Sequence, residues 1–276
     1  MAFPYGCLEN PQKPGKTRAM TRRIPFEAID NFRDFGDYAA GQRRLRRGLL
    51  YRSASQSRAT DADLEKLAGL GLAVIVDLRR LNEREREPSR RWAGFGARVI
   101  ENDIGQEAAD EWATFIQGSD LTPGSFRDYM LEYYRHLPHQ RRHIDLYTRY
   151  FRALAEGDGP ILVHCAAGKD RTGIICALTH HLAGVHDDDI REDYLLTNDP
   201  ERLTNRLPQI REVVREATGK TASDDALMVA MRVEAEYLDM AFNVMREAHG
   251  SLDGYLDQVL GLDGELRARL HDRLLA

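Results

Sequence analysis

The chain of 276 residues contains no apolar run of the roughly 18 residues a membrane-spanning helix needs, so stable membrane insertion is not expected. Its first residues lack the apolar core of a signal peptide, and cytoplasmic residence is the default expectation. Three cysteines are too few for a disulfide framework. Positive charge is not in excess: 39 Lys and Arg against 44 Asp and Glu leave −5, which does not favour nucleic acid as a partner. Lysine is scarce. Five of the 39 basic residues are Lys13, Lys16, Lys66, Lys169 and Lys220, and the other 34 are arginine. The two tryptophans, Trp92 and Trp112, are not followed by Pro-Asp. What remains, 42% apolar residues, supports an ordinary core in one large domain or two small ones.

One stretch organises the rest. Ile161-Leu162-Val163 reads as a buried strand and Ile174-Ile175-Cys176-Ala177-Leu178 as a buried helix. Between them lies His164-Cys165-Ala166-Ala167-Gly168-Lys169-Asp170-Arg171-Thr172-Gly173. A loop entering a helix N-terminus offers successive backbone N–H groups and the positive end of the helix dipole to an anion. Gly168 lets the backbone approach that anion without a Cβ in the way. The planar fork of Arg171 can hold two phosphate oxygens, as a lysine cannot. The same donors are expected to stabilise a Cys165 thiolate as a nucleophile. The bare Cys-x5-Arg spacing is weak in so arginine-rich a chain; its strand, glycine and helix context carries the weight.

Residues 1–23 are rich in Pro, Gly and basic residues and are expected to form a mobile N-terminal arm. A loop and a hairpin turning at Gly41-Gln42 follow over 24–53, then a helix capped by Thr60. Ala73-Val74-Ile75-Val76 reads as a central parallel strand ending at Asp77. The charged residues 80–91 read as an exposed, salt-bridged helix. Arg98-Val99-Ile100 begins another strand, with Asp103 near its C-terminal end, where ligands sit in open α/β sheets. Helices are predicted over 107–117 and, as a single rod, 125–156, its aromatic stripe from Tyr129 to Phe151 taken as core. Cys176 falls one turn into an apolar helix and reads as inert core. Helices at 187–197, 200–217, 224–231, 232–248, 251–260 and 263–275 complete an α/β fold: a central, mostly parallel sheet of four to five strands flanked by helices, with a helical C-terminal third.

The loop closely resembles the phosphate-binding loop of the protein tyrosine phosphatase superfamily. With Lys169 and Asp170 inside it, it is similar to the atypical bacterial tyrosine/lipid phosphatases. The resemblance extends to Asn31-Phe32-Arg33-Asp34, Tyr51-Arg52-Ser53, Asp77-Leu78-Arg79, Asp193-Tyr194-Leu195-Leu196-Thr197-Asn198 and Gly250-Ser251-Leu252-Asp253-Gly254-Tyr255-Leu256. It implies a single catalytic domain over 24–276, with 200–231 as a two-helix lid, a role that the amphipathic pattern there also suits. It implies phosphorylated proteins or phosphoinositides as substrates, and some exported relatives, so export without a recognisable signal peptide stays open.

The expected chemistry is hydrolysis of a phosphomonoester through a phosphocysteine on Cys165, with Arg171 and the amides of Ala166, Ala167, Gly168 and Lys169 holding the phosphate oxygens. Thr172 can donate to the departing thiolate, and His164 orients the loop. No metal or cofactor is required. Without a Trp-Pro-Asp loop the general acid must lie elsewhere. Asp170, within the loop, is the first choice: a phosphate dianion beside it favours the protonated carboxyl, which can hand its proton to the leaving oxygen. Asp103 and then Asp77 are the alternatives. A catalytically weak phosphate-binding module and a rhodanese-like sulfurtransferase are the competing functions. The intact Cys165 argues against the first, the Arg171-Thr172-Gly173 ending against the second.

Overall fold

The computed structural model describes residues 22–105 and 111–276. The expected mobile arm lies outside the described residues except for its last two, and these are docked. Arg22 is buried, with its guanidinium 3.6 Å from the Tyr38 ring centroid and bonded to the carbonyls of Gly36 and Asp37. Arg23 pairs with Asp199 at 2.7 Å.

The N-terminal third supplies β1 (Arg33–Asp34), the hairpin β2 (Ala39–Ala40) and β3 (Arg43–Arg44), β4 (Leu50–Ser53), α1 (Asp61–Gly69), β5 (Val74–Asp77), α2 (Leu81–Arg86) and β6 (Arg98–Ile100). After α3 (Glu111–Gly118), α4 (Pro123–His136) and α5 (Arg141–Glu156) comes β7 (Ile161–His164). The sheet order is β1-β4-β7-β5-β6, with β1 antiparallel to β4 and the other pairings parallel. Helices then follow without a further strand: α6 (Asp170–Ala183), α7 (Asp187–Leu195), α8 (Pro200–Thr218), α9 (Asp224–Met231), α10 (Ala235–His249), α11 (Leu252–Gln258) and α12 (Gly264–Leu274).

The period-2 alternation of strands explains why the central runs are apolar throughout. Val74, Val76, Ile161 and Val163 face a core shared with Tyr147, Tyr150, Phe151 and Ile174. Ile75 and Leu162 face the opposite side, against Phe32, Leu64 and Leu67. The loop-bearing strand β7 is thus central and covered on both faces. The helix expected as one rod over 125–156 is two, separated by a 3-10 turn over Leu137–His139. Pro138 accounts for the break, since it lacks an N–H and its ring collides with the carbonyl four residues back. Of the expected helix 107–117, only the part from Glu111 falls within the described residues. A third apolar cluster, including Ile116, Phe126, Val214 and Leu227, joins α3 and α4 to α8 and α9 apart from the main core.

A buried ion triad ties the elements behind β7 together. Arg33 of β1 and Arg52 of β4 both bond to Asp193 of α7, at 3.1 and 2.9 Å, and all three side chains are almost wholly excluded from solvent. Burial opposes the Asp193 charge, but the two guanidinium groups outweigh it and hold the carboxyl well below the usual carboxylate range. Removing the carboxylate would leave two buried cations uncompensated, a loss of about 3–5 kcal/mol. Asp193→Asn is therefore expected to lower unfolding free energy by that order in urea titration. A change within about 0.5 kcal/mol, the range of ordinary surface substitutions, would contradict the role of the triad.

Candidate active site

Cys165 follows the last residue of β7, and Asp170 opens α6 five residues later, so the intervening loop must reverse within one tight turn. Two of its carbonyls are held from outside the loop. Ser55 N–H donates to Ala166 O at 3.0 Å. The Gly168 carbonyl accepts twice, from Asn31 Nδ2 at 2.7 Å and from Arg52 Nη2 at 3.0 Å. The amides of Ala166, Ala167, Gly168 and Lys169 have no acceptor among the described residues. Carbonyls held from outside and amides left free are what an anion on the inner face requires. Gly168 has φ +65°, and a Cβ there would stand 2.3 Å from Ser53 O, so the conformation and the packing both demand glycine. Gly173 serves a different end: a Cβ would meet the Tyr194 ring at 2.8 Å, which keeps α6 close against α7.

Arg171 is clamped by a residue that sequence reasoning passed over. Glu83, on the short helix α2, accepts from Nη1 and Nη2 at 2.5 and 2.7 Å. The stretch 80–91 is thus not merely a solvated face; one of its acids reaches the loop arginine. Burial opposes both charges, but each partner outweighs it: Glu83 is held down at about 2, and Arg171 is raised well above its ordinary value. With the end of the fork fixed, the Nε side has no acceptor among the described residues and could hold two oxygens of an anion. Arg142 adds cationic field from behind, donating to the carbonyls of Leu78 and Arg79, both at 3.0 Å.

The three acid candidates part company. Asp77 is buried and held by Arg79 through bonds of 2.7–3.2 Å. Burial opposes its charge, yet His164 and Arg79 prevail and its carboxyl sits at about 2. Asp103 is mostly exposed and paired with Arg84. Asp170 stands in the loop itself, its Oδ1 accepting a hydrogen bond from Tyr134 at 2.8 Å; that hydroxyl in turn meets the Tyr194 hydroxyl at 2.7 Å. The aromatic stripe read as core is core in the main, but Tyr134 uses its polar tip on Asp170. Tyr133 beside it is partly exposed, and burial raises its hydroxyl pKa well above the ordinary range. Polar tips on a helical aromatic stripe were the available signal.

Lys169 turns away from the loop interior. Its Nζ bonds the carbonyls of Ala230 and Arg232 at the C-terminal end of α9, at 2.5 and 3.3 Å, and lies 3.6 Å from Asp170. His164 is fully buried under the loop, with Nδ1 3.4 Å from Cys165 O and Nε2 3.6 Å from Asp77; burial pushes its pKa down to about 4. The Thr172 hydroxyl is buried without a hydrogen-bond partner among the described residues, so it does not cap α6. Burial raises the Cys176 thiol to about 12, in keeping with inert core.

Comparison with known proteins meets this geometry directly. The model of the tyrosine phosphatase family matches residues 24–276. The chain belongs to the tyrosine phosphatase family. It is 34% identical over 267 residues to an inferred tyrosine-protein phosphatase of Cupriavidus necator, spanning 94% of this chain and 93% of that protein. It is 32% identical over 257 residues to the triple specificity protein phosphatase PtpB of Mycobacterium tuberculosis, spanning 82% of this chain and 90% of that protein. Membership supports phosphatase activity on phosphorylated substrates. No helix among the described residues is long and apolar enough to cross a membrane.

The Glu83 clamp makes a measurable demand on this family member. Glu83→Gln frees the end of the Arg171 fork, and kcat/KM is expected to fall by up to about 10²-fold, the scale of a small misplacement of a positioning group. The pair also has a pH signature. The folded Glu83 carboxyl lies at about 2 against an ordinary 4.5, so its contribution to stability is complete above the ordinary value and fades as pH falls toward the folded one. Urea midpoints of wild type and Glu83→Gln should therefore converge across that window. Wild-type kcat/KM together with a pH-independent gap would contradict the clamp.

Proposed function

We propose that the protein is a protein-tyrosine phosphatase working through a phosphocysteine on Cys165. The observation that carries the reading is the loop of free amides joining Cys165 to the clamped Arg171. The Cys165 sulfur attacks phosphorus in line; the S–P bond forms as the bond to the leaving oxygen breaks. Arg171 and the loop amides bind the equatorial oxygens, where charge must be stabilised. Asp170 gives its proton to the leaving oxygen. It then accepts one from the water that attacks the phosphocysteine, and the S–P bond breaks with return of the thiolate. The unpartnered Thr172 hydroxyl suits a donor to that thiolate. The loop carries both nucleophile and arginine, which favours turnover over passive phosphate binding.

Phosphotyrosine is the leading substrate, with phosphoserine, phosphothreonine and phosphoinositides as further candidates. The name of the mycobacterial relative, a triple specificity phosphatase, supports breadth. Lys169 supplies positive charge at the loop edge, but its donors are engaged with α9, which weakens the case for direct grip on a second phosphate. The α8–α9 pair is proposed as a cover over the mouth, supported by its separate apolar cluster and by the reach of Lys169 to the end of α9. A panel of phosphopeptides and short-chain phosphoinositides ranks the substrates.

Two substitutions test the chemistry. Cys165→Ser should abolish turnover while keeping competitive phosphate binding. Asp170→Asn should slow alkyl and tyrosyl phosphates by about 10²–10⁴-fold, the usual worth of a general acid. It should barely slow an aryl phosphate whose leaving group is already a weak base. Equal losses on both substrate types would remove Asp170 from the acid role.

A further inference from the structure

A cavity of about 340 Å³ opens where β1 meets the start of α8, and no residue of the catalytic loop lines it. Its volume is at the low end of small-ligand pockets. Its lining carries three cations, Arg23, Arg33 and Arg202, against a single carboxylate, Asp199. Phe32, Leu195, Leu196 and Pro200 add apolar surface, with Leu195 among the more exposed large apolar side chains.

The cations outnumber their counter-charges. Arg23 uses Asp199, and Arg33 shares Asp193 with Arg52. Arg202 is only 7% exposed, yet among the described residues its guanidinium hydrogen-bonds to main-chain carbonyls alone, Thr197 O at 3.1 Å and Met231 O at 3.3 Å. Among the described residues no carboxylate lies within ion-pair distance of it. Burial is costly for the charge and therefore pushes its pKa down, and Asp30 and Asp199, which Arg206 and Arg23 already occupy, offset that only from beyond contact. An anion in the cavity would relieve that cost, and an apolar body behind the anion would cover the Leu195 face.

We infer that this cavity is a second binding site, taking a small organic anion with a short hydrocarbon body. It is placed to be felt elsewhere. Arg202 grips the carbonyl just before α8 and the last residue of α9, and Asn31 on the cavity wall donates to Gly168 O of the catalytic loop.

The site is tested with octanoate by isothermal titration on the full chain, with octanol as the neutral control. Saturable binding of octanoate and none of octanol is expected. Loss of a charged hydrogen bond should weaken it by at least about tenfold in Arg202→Met. Arg23→Ala, at a half-exposed position, should weaken it in the same direction without disturbing the buried carbonyl bonds, and so serves if Arg202→Met does not fold. Arg171→Met should leave it unchanged. Absence of saturable octanoate binding, equal binding of octanol, or loss of binding in Arg171→Met with the cavity variants unaffected would each overturn the assignment.

Discussion

A phosphate-binding loop has to be turned inside out. Its amides must face the anion, so its carbonyls must face the protein, and each outward carbonyl needs a donor that the loop does not contain. Here the donors come from distant segments: Ser55 N–H for Ala166, and Asn31 with Arg52 for Gly168. Arg52 can serve because Asp193 fixes its other nitrogen, and Asp193 is fixed in turn by Arg33, whose Nη1 also holds the Asn31 side chain at 2.6 Å. The segments joined in this way span β1, β4 and α7. Much of the fold around β7 is thus a frame that keeps one carbonyl turned outward.

The charges around the loop are paired in a definite order. Asp77 and Arg79 neutralise one another beneath His164, which burial keeps uncharged near neutral pH. Glu83 pairs with Arg171 at the end of its fork, and among the described residues no carboxylate forms an ion pair with Arg142. Asp170 alone of the three acid candidates is in the loop with a hydroxyl donor on it. What each carboxylate is bonded to thus separates the three: Asp77 is locked by Arg79, Asp103 pairs at the surface with Arg84, and Asp170 meets a tyrosine hydroxyl and Lys169.

The sequence was most legible where local pattern and burial agree. The apolar run at 161–163, the loop and the helix beyond it can be read directly, as can the parallel strand at 74–77 and the cap at Thr60. Less could be read where function depends on pairing across the chain. Nothing local marks Glu83 among its charged neighbours as the partner of Arg171, 88 residues away. Tyr134 shares its spacing with purely apolar core residues, so its hydrogen bond to Asp170 is invisible in the periodicity. Lys169 looks like a pocket cation until α9 brings two carbonyls to it. The split at Pro138 is the one local signal that the helical pattern overrode, since the stripe continues in phase on both sides.

The central claim is that the loop presents Cys165 to phosphorus and that the reaction passes through this residue. Rapid denaturing quench during turnover of an aryl phosphate, followed by peptide mass mapping, tests it most directly. One phosphoryl group on the peptide that contains Cys165, formed as fast as the leaving group departs, is the predicted result. A phosphoryl group on any other peptide would contradict the account, as would phosphate and leaving group appearing together with no labelled enzyme at any time.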